Sequence, residues 1–230
     1  MSFKVALRNF FTQPRNALIV YSVIAVVVSV LQYLAGDKAF NGIAYTHYNN
    51  YVIFKQSVYH LFENKNLYEA WPQEHWDYYK YSPSFPILFS PFILFPDFLG
   101  LSIWNLLNAL VLFFAIKNLN GFSQVTKTTI QWFVLPELVV SLQNSQSNGL
   151  IAGLIISAFN LTENRRFLLA SVLIAISAFI KVFGVIAFVF FLFQKERIKA
   201  IAIGMLVMVI FSALPLVICS LYALRWQYDN

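Results

Sequence analysis

The sequence predicts an all-α integral membrane protein, a polytopic helical bundle with a large outer loop of interfacial helices after its first transmembrane helix. Two observations carry that prediction. Of the 230 residues, 59% are hydrophobic and only 11% are charged, against roughly a quarter charged in an ordinary soluble domain. The basic N-terminus "MSFKVALRNFFTQPRN" runs straight into "ALIVYSVIAVVVSVLQYLAG", about the ~20 apolar residues that one crossing of the hydrocarbon core requires. A secretory leader has a shorter apolar core and a small-residue cleavage site, and many more apolar runs follow here. This run therefore reads as a retained first span.

Lys4, Arg8 and Arg15 precede that span, so the positive-inside rule puts the N-terminus in the cytoplasm and the 37–83 segment outside. Further basic groups at Lys117 and Lys127, at Arg165 and Arg166, and at Lys195, Arg197 and Lys199 separate apolar stretches that each hold a polar break. With all three clusters cytoplasmic, those stretches are helical hairpins with "QNSQSN" (143–148) and Lys181 at their outer tips. Arms of roughly 13 to 16 residues fall short of a ~20-residue span, which places the tips below the outer surface in a polar cavity. Residues 84–116 look like two segments split at "FPDFLG". Either one of them only dips into the bilayer, or the loop holding Lys117 and Lys127 lies outside. A final run at about 200–222 is long enough to cross. No repeat or linker divides the chain, which reads as a single transmembrane domain over 1–230. The net charge of +6 is scattered between apolar runs rather than gathered on one surface, so no nucleic-acid partner is expected. One cysteine, Cys219, provides neither a disulfide framework nor a cysteine metal site.

Chemistry is expected in the outer loop, about 37–83. It holds all three histidines, His47, His60 and His75, with half of the ten acids and a dense run of aromatic residues. Tyr51, Phe54, Val58, Leu61 and Phe62 share one helical face while Lys55, Gln56, Glu63 and Asn64 lie elsewhere, the pattern of a helix lying in the membrane interface. Asn49 or Asn50 suits its N-cap. In "WPQEHWDYYKYSP", Glu74, His75, Asp77, Lys80 and Tyr81 crowd beside further Trp and Tyr residues just before the next apolar run. Carboxylates beside rings at a membrane lip can hold a sugar, and a partly desolvated carboxylate can serve as general base. The alternative is a solvated anchoring loop. His47, His75, Glu74 and Asp77 lack the spacing of a ligand set, so no metal is expected. Lys181 and Glu137 are charges inside apolar sequence, functional candidates by default, the alternative for Lys181 being a snorkel to the interface.

Seven short stretches, in order, are "NNYVIF" (49–54), "NLY" (66–68), "YSP" (81–83), "LFSPF" (88–92), "WNLLN" (104–108), "SQSNGLI" (145–151) and "AISAFIKVFG" (175–184). Together they resemble glycosyltransferase family 87, the polyprenol-phosphate-mannose-dependent mannosyltransferases of the GT-C superfamily. The chain departs from the family pattern where the loop acid becomes Asn50, the first proline of Tyr-Pro-Pro becomes Ser82, the glycine before Gln146 becomes Ser145, and the proline after Lys181 becomes Gly184. Family members are typically longer, so the resemblance implies the N-terminal part of the usual length.

The resemblance implies a GT-C-like bundle in the cell (inner) membrane and an inverting hexosyltransferase. A sugar, by resemblance mannose, would pass from a polyprenyl-phosphate donor to a glycolipid or glycan acceptor at the outer face. Membrane lipid is the remaining partner, and no cofactor is needed because the donor is a substrate. Lys181 would stabilise the departing phosphate, with Gln146, Asn148, Lys80, Tyr81 and His75 as further substrate-binding residues. Asn50 cannot take a proton, so the base is sought in Glu74 or Asp77. Two other readings compete: a transporter or flippase for a lipid-linked sugar, which predicts paired broken helices and internal repeats absent from the sequence, and an inactive truncated homologue acting as a binding partner.

Overall fold

A computed structural model describes residues 3–229; the side chains of Lys4 and Arg8, part of the basic N-terminal cluster, lie outside the described residues. The described residues are mostly helical, with one small hairpin and an irregular loop over 63–84. Helix α1 (Phe3–Thr12) leads into α2 (Pro14–Leu34), which starts three residues before the apolar run because Pro14 occupies its first turn, where a missing N–H costs nothing. Strands β1 (Asp37–Phe40) and β2 (Ile43–Thr46) then pair antiparallel, Asp37 opposite Thr46 and Phe40 opposite Ile43. Asn41 and Gly42 both have positive φ, 51° and 79°, as a tight Asn-Gly hairpin turn requires.

Helix α3 (Asn49–Phe62) follows. Its apolar face does not lie in a membrane interface. Tyr51, Phe54, Val58 and Leu61 are buried in the protein's own core, while Phe62 is exposed. The partners are α4 (Phe85–Phe89), the 3-10 segment Ser90–Leu94 and α5 (Asp97–Lys117). Phe54 meets Phe85, Phe89 and Trp104 edge-on at ring-centroid distances of 5.1, 5.5 and 5.6 Å, the geometry aromatic quadrupoles favour. Lys55 pairs with Asp97 at 2.5 Å, fastening α3 to the start of α5. The two segments expected around "FPDFLG" are resolved: Phe85–Leu94 is ten residues, a rise of about 15 Å against a core of about 30 Å, whereas α5 has 21 residues.

The "QNSQSN" tip joins α6 (Gln124–Gln143) to α7 (Asn148–Glu163) as a helical hairpin. The arms are not uniformly short, since α6 runs 20 residues through Pro136. After Arg165 and Arg166 come α8 (Phe167–Ile180), the 3-10 segment Val182–Phe188 and α9 (Val189–Leu192), with Lys181 at the break. The expected final span at 200–222 does not form as one helix. Helix α10 (Arg197–Ser212) stops before Pro215, whose ring disfavours helical geometry in the preceding residue, and a 3-10 turn, Leu214–Val217, leads to α11 (Leu221–Asp229). That last helix returns to the outer loop: buried Gln227 donates to the Lys65 carbonyl at 2.7 Å and accepts from the Leu67 N–H at 3.1 Å.

Among the described residues, two helices, α2 and α5, are long and apolar enough to cross a bilayer, with mean hydropathy 2.3 and 2.0. Large apolar side chains point outward along α2 (Val23, Val27, Leu31) and along α10 (Met205, Leu206, Val209, Ile210).

Candidate functional site

The α6–α7 tip is built by a tight C-cap. The Gln146 N–H bonds the Ser141 carbonyl and the Ser145 N–H bonds the Leu142 carbonyl, both at 2.9 Å. This is the double bond of a Schellman motif, with Ser145 in the left-handed region at φ 52°. Glycine is the usual residue there, and serine carries a Cβ penalty of about 1 kcal/mol. The "WNLLN" stretch of α5 holds the tip from behind. Trp104 Nε1 donates to the Ser145 carbonyl at 3.0 Å, Asn105 Nδ2 to the Leu142 carbonyl at 3.3 Å, and Asn108 Oδ1 accepts the Leu150 N–H at 2.9 Å. These buried side chains, one indole and two amides, brace the tip; the sequence showed them only as part of a resemblance.

Lys181 is aimed by the break it occupies. Its extended backbone (φ −138°, ψ 130°) ends α8, and the following turn folds back so closely that a Cβ on Gly184 would collide with Ser177 and Ala178. Lys181 Nζ then donates to Asn148 Oδ1 at 2.7 Å, and Asn148 Nδ2 to Gln146 Oε1 at 2.7 Å. A cation and two carboxamides from two hairpins thus form one chain of hydrogen bonds.

The loop between α3 and α4 brings a carboxylate, Asp77, to a cavity that Gln146 and Lys181 also line. Ser82 Oγ donates to the Phe179 carbonyl at 2.7 Å, tying the "YSP" segment to the end of α8. Just before it, Asp77 accepts from the Tyr78 N–H at 2.8 Å and from Lys80 Nζ on both oxygens at 2.8 Å. His75 Nδ1 lies 2.6 Å from the Asp77 carbonyl, so His75 holds the Asp77 main chain and stays buried. Glu74 turns the other way, its carboxylate 2.8 Å from Nε2 of buried His60, whose ring lies against Trp71 with centroids 4.2 Å apart. Burial holds both His60 and His75 below the usual imidazole range, Glu74 opposing the shift at His60 and the Asp77 carbonyl opposing it at His75.

Asn50, Asp77, Lys80, Tyr81, Gln146 and Lys181 line one cavity of about 370 Å³, together with Tyr78, Val182 and Phe183. Six of the nine candidates converge there. Asn148 stands outside the lining, bonded to Lys181 and Gln146, while Glu74 and His75 do not reach it. Burial, with Asp77 nearby, pushes the Tyr81 hydroxyl up to about 12, so it remains a donor. Asn50 is not a helix cap. The N-cap position is Tyr48, and neither asparagine caps the helix. Asn50 Nδ2 instead donates to the Asn144 carbonyl at 2.7 Å, linking α3 to the α6–α7 tip, while Asn49 Oδ1 accepts from the Trp76 N–H at 3.3 Å. Glu137 sits exposed on α6 at an apolar cleft between α5, α6 and α7. Among the described residues, no three His, Cys, Asp or Glu side chains gather as a metal site.

Two further spaces adjoin this cavity. An apolar cleft of about 350 Å³ shares Lys80, Tyr81 and Val182 with it and continues along Phe179, Val185 and Met208. A second cavity of about 280 Å³ shares Asn50 and is walled by the β-hairpin, His47, Asn49, Trp76 and Asn144. Sequence reading missed that hairpin wall, although Asn41-Gly42 is a strong hairpin signal.

Compared with known families, residues 79–228 match the model of glycosyltransferase family 87. No curated protein and no solved structure matches the chain.

Proposed function

Since the chain belongs to glycosyltransferase family 87, its general activity is glycosyl transfer, and we propose that it moves a sugar, mannose by family resemblance, from a polyprenyl-phosphate donor to a glycolipid or glycan acceptor. The observation that carries this reading is the shared cavity, where one carboxylate, two lysines and two carboxamides meet beside an apolar cleft. Such a site suits an amphiphilic donor: Lys181, Lys80 and Gln146 face the phosphate, and the apolar chain runs toward Phe179 and Met208.

In this proposal the acceptor hydroxyl gives its proton to Asp77, after Lys80 swings off the carboxylate. The acceptor oxygen forms a bond to the anomeric carbon as the bond from that carbon to the phosphate oxygen breaks, inverting the carbon. The electron pair leaves on the polyprenyl phosphate, where the Lys181 ammonium is preorganised to meet the growing charge. Asn50 contributes hydrogen bonding only, and no cofactor or metal takes part. The outward-facing apolar side chains of α2 and α10 support a multi-pass protein of the cell membrane. The basic residues before α2 support a cytoplasmic N-terminus and an outer-face site.

The test is label transfer by the purified protein in lipid, from polyprenyl-phosphate mannose to extracted acceptor lipids. Asp77→Asn is expected to lower kcat by about 100-fold or more, while Glu74→Gln, which disturbs only the His60 pair, stays within a few-fold. Full activity in Asp77→Asn removes Asp77 as base; absence of transfer by the wild type removes the donor assignment.

A further inference from the structure

The cavity on the β-hairpin side of Asn50 contains hydrogen-bonding groups that the fold leaves unused. Asn49 is 7% exposed and its Nδ2 has no partner; Thr46 Oγ1, in the same lining, is also buried and unpartnered. A buried polar group without a partner is costly unless something enters to bond it. The Phe40 and Trp76 rings stand half-exposed in this lining, with centroids 6.0 Å apart. Neutral donors and acceptors between open aromatic faces match a sugar ring, whose C–H face packs on indole and whose hydroxyls bond amide and hydroxyl groups. Charge is sparse, Lys38 being the one formal cation of the lining.

We propose that this cavity is a subsite for a neutral hexose glycan, the terminal part of the acceptor, an inference that rests on the glycosyl-transfer reading for its purpose. Trp76 and Phe40 form the platform, and Asn49 Nδ2 and Thr46 Oγ1 bond sugar hydroxyls. Asn50 is the residue common to both cavities. Its Nδ2 is committed to the Asn144 carbonyl, which leaves Oδ1 to accept from the hydroxyl that must pass toward Asp77. The subsite thereby orients one acceptor hydroxyl at the boundary between sugar platform and phosphate site.

The experiment uses the full chain in lipid nanodiscs with a neutral mannose trisaccharide as probe, read by saturation-transfer NMR, alongside acceptor KM in the transfer assay. Trp76→Ala removes the platform. Asn49→Asp keeps an oxygen to accept from the Trp76 N–H and replaces the unpartnered donor with a charged carboxylate oxygen, which cannot donate to a sugar hydroxyl. Each is expected to raise the half-saturating trisaccharide concentration and the acceptor KM about tenfold or more, with donor KM unchanged. Wild-type affinity and acceptor KM in both variants overturn the subsite while leaving glycosyl transfer standing. Trisaccharide binding lost in both variants, in a protein that transfers no sugar from polyprenyl-phosphate mannose, supports the subsite and instead removes the donor assignment.

Discussion

Replacing Lys181 by methionine removes the cation and keeps most of the side-chain volume. In the free protein the change breaks the 2.7 Å bond from Nζ to Asn148 Oδ1. A hydrogen bond to a charged group contributes about 1.5–3 kcal/mol net, but Asn148 keeps its second bond, to Gln146, and water in the cavity can replace the lost donor. Loss of stability should therefore stay near 1 kcal/mol, roughly 2–4 °C in unfolding temperature for a chain of this size. The effect on transfer should be far larger. Removing one preorganised donor from a developing charge costs about 100- to 1,000-fold in kcat. Lys181→Arg, which keeps charge but changes reach and shape, should recover part of the loss. Adding Asn148→Ala to Lys181→Met should cost little more, because Asn148 acts by holding the ammonium, and groups that act as a unit are not additive. The assay is single-turnover label transfer in lipid, with unfolding followed on the same preparations. Transfer within about threefold of wild type in Lys181→Met, or a loss matched by gross destabilisation, would refute the phosphate role.

Two further outcomes follow from the loop and the tip. Ser145→Gly relieves the left-handed backbone at φ 52° and removes a buried hydroxyl that finds no partner; it should stabilise the protein by about 1 kcal/mol, and a lowered unfolding temperature contradicts the strain argument. His60 and His75 are held below their ordinary value of 6.5 by burial, so below about pH 6.5 the opened loop binds more protons than the closed one and stability falls as pH falls. Hydrogen exchange over residues 49–81 should quicken between pH 7 and pH 5 after correction for intrinsic exchange, and unchanged protection denies that the two imidazoles are held neutral.

What the sequence made legible were breaks in apolar runs. The split at "FPDFLG", the "QNSQSN" tip and Lys181 fall at element boundaries, whereas the basic-to-apolar step at Asn16–Ala17 lies inside α2; proline, polar clusters and isolated charges act on the backbone locally. The helical period of α3 was equally legible, but a hydrophobic stripe records only that a face is buried, and protein core satisfies it as well as lipid. The loop defeated local reasoning for a related reason. Glu74 and Asp77 are three residues apart in irregular chain, so no periodicity separates them. What separates them is the buried His60 ring, which captures Glu74 at 2.8 Å, and the His75 contact, which fixes the Asp77 main chain.

Asn50 shows the same competition at a single residue. Capping a helix is worth about 1 kcal/mol, and so is one neutral hydrogen bond to a distant carbonyl. A local rule counts the first and cannot see the second, here made to Asn144, 94 residues away. Once that bond forms, the side chain is fixed between two cavities instead of folded over its own helix end. An aspartate at this position would meet the Asn144 carbonyl with an oxygen and be repelled, so the bond that holds the α6–α7 tip against α3 depends on the amide. Asn50 therefore supplies the donor that links α3 to the α6–α7 tip, and in the proposed reaction the proton goes to Asp77 instead.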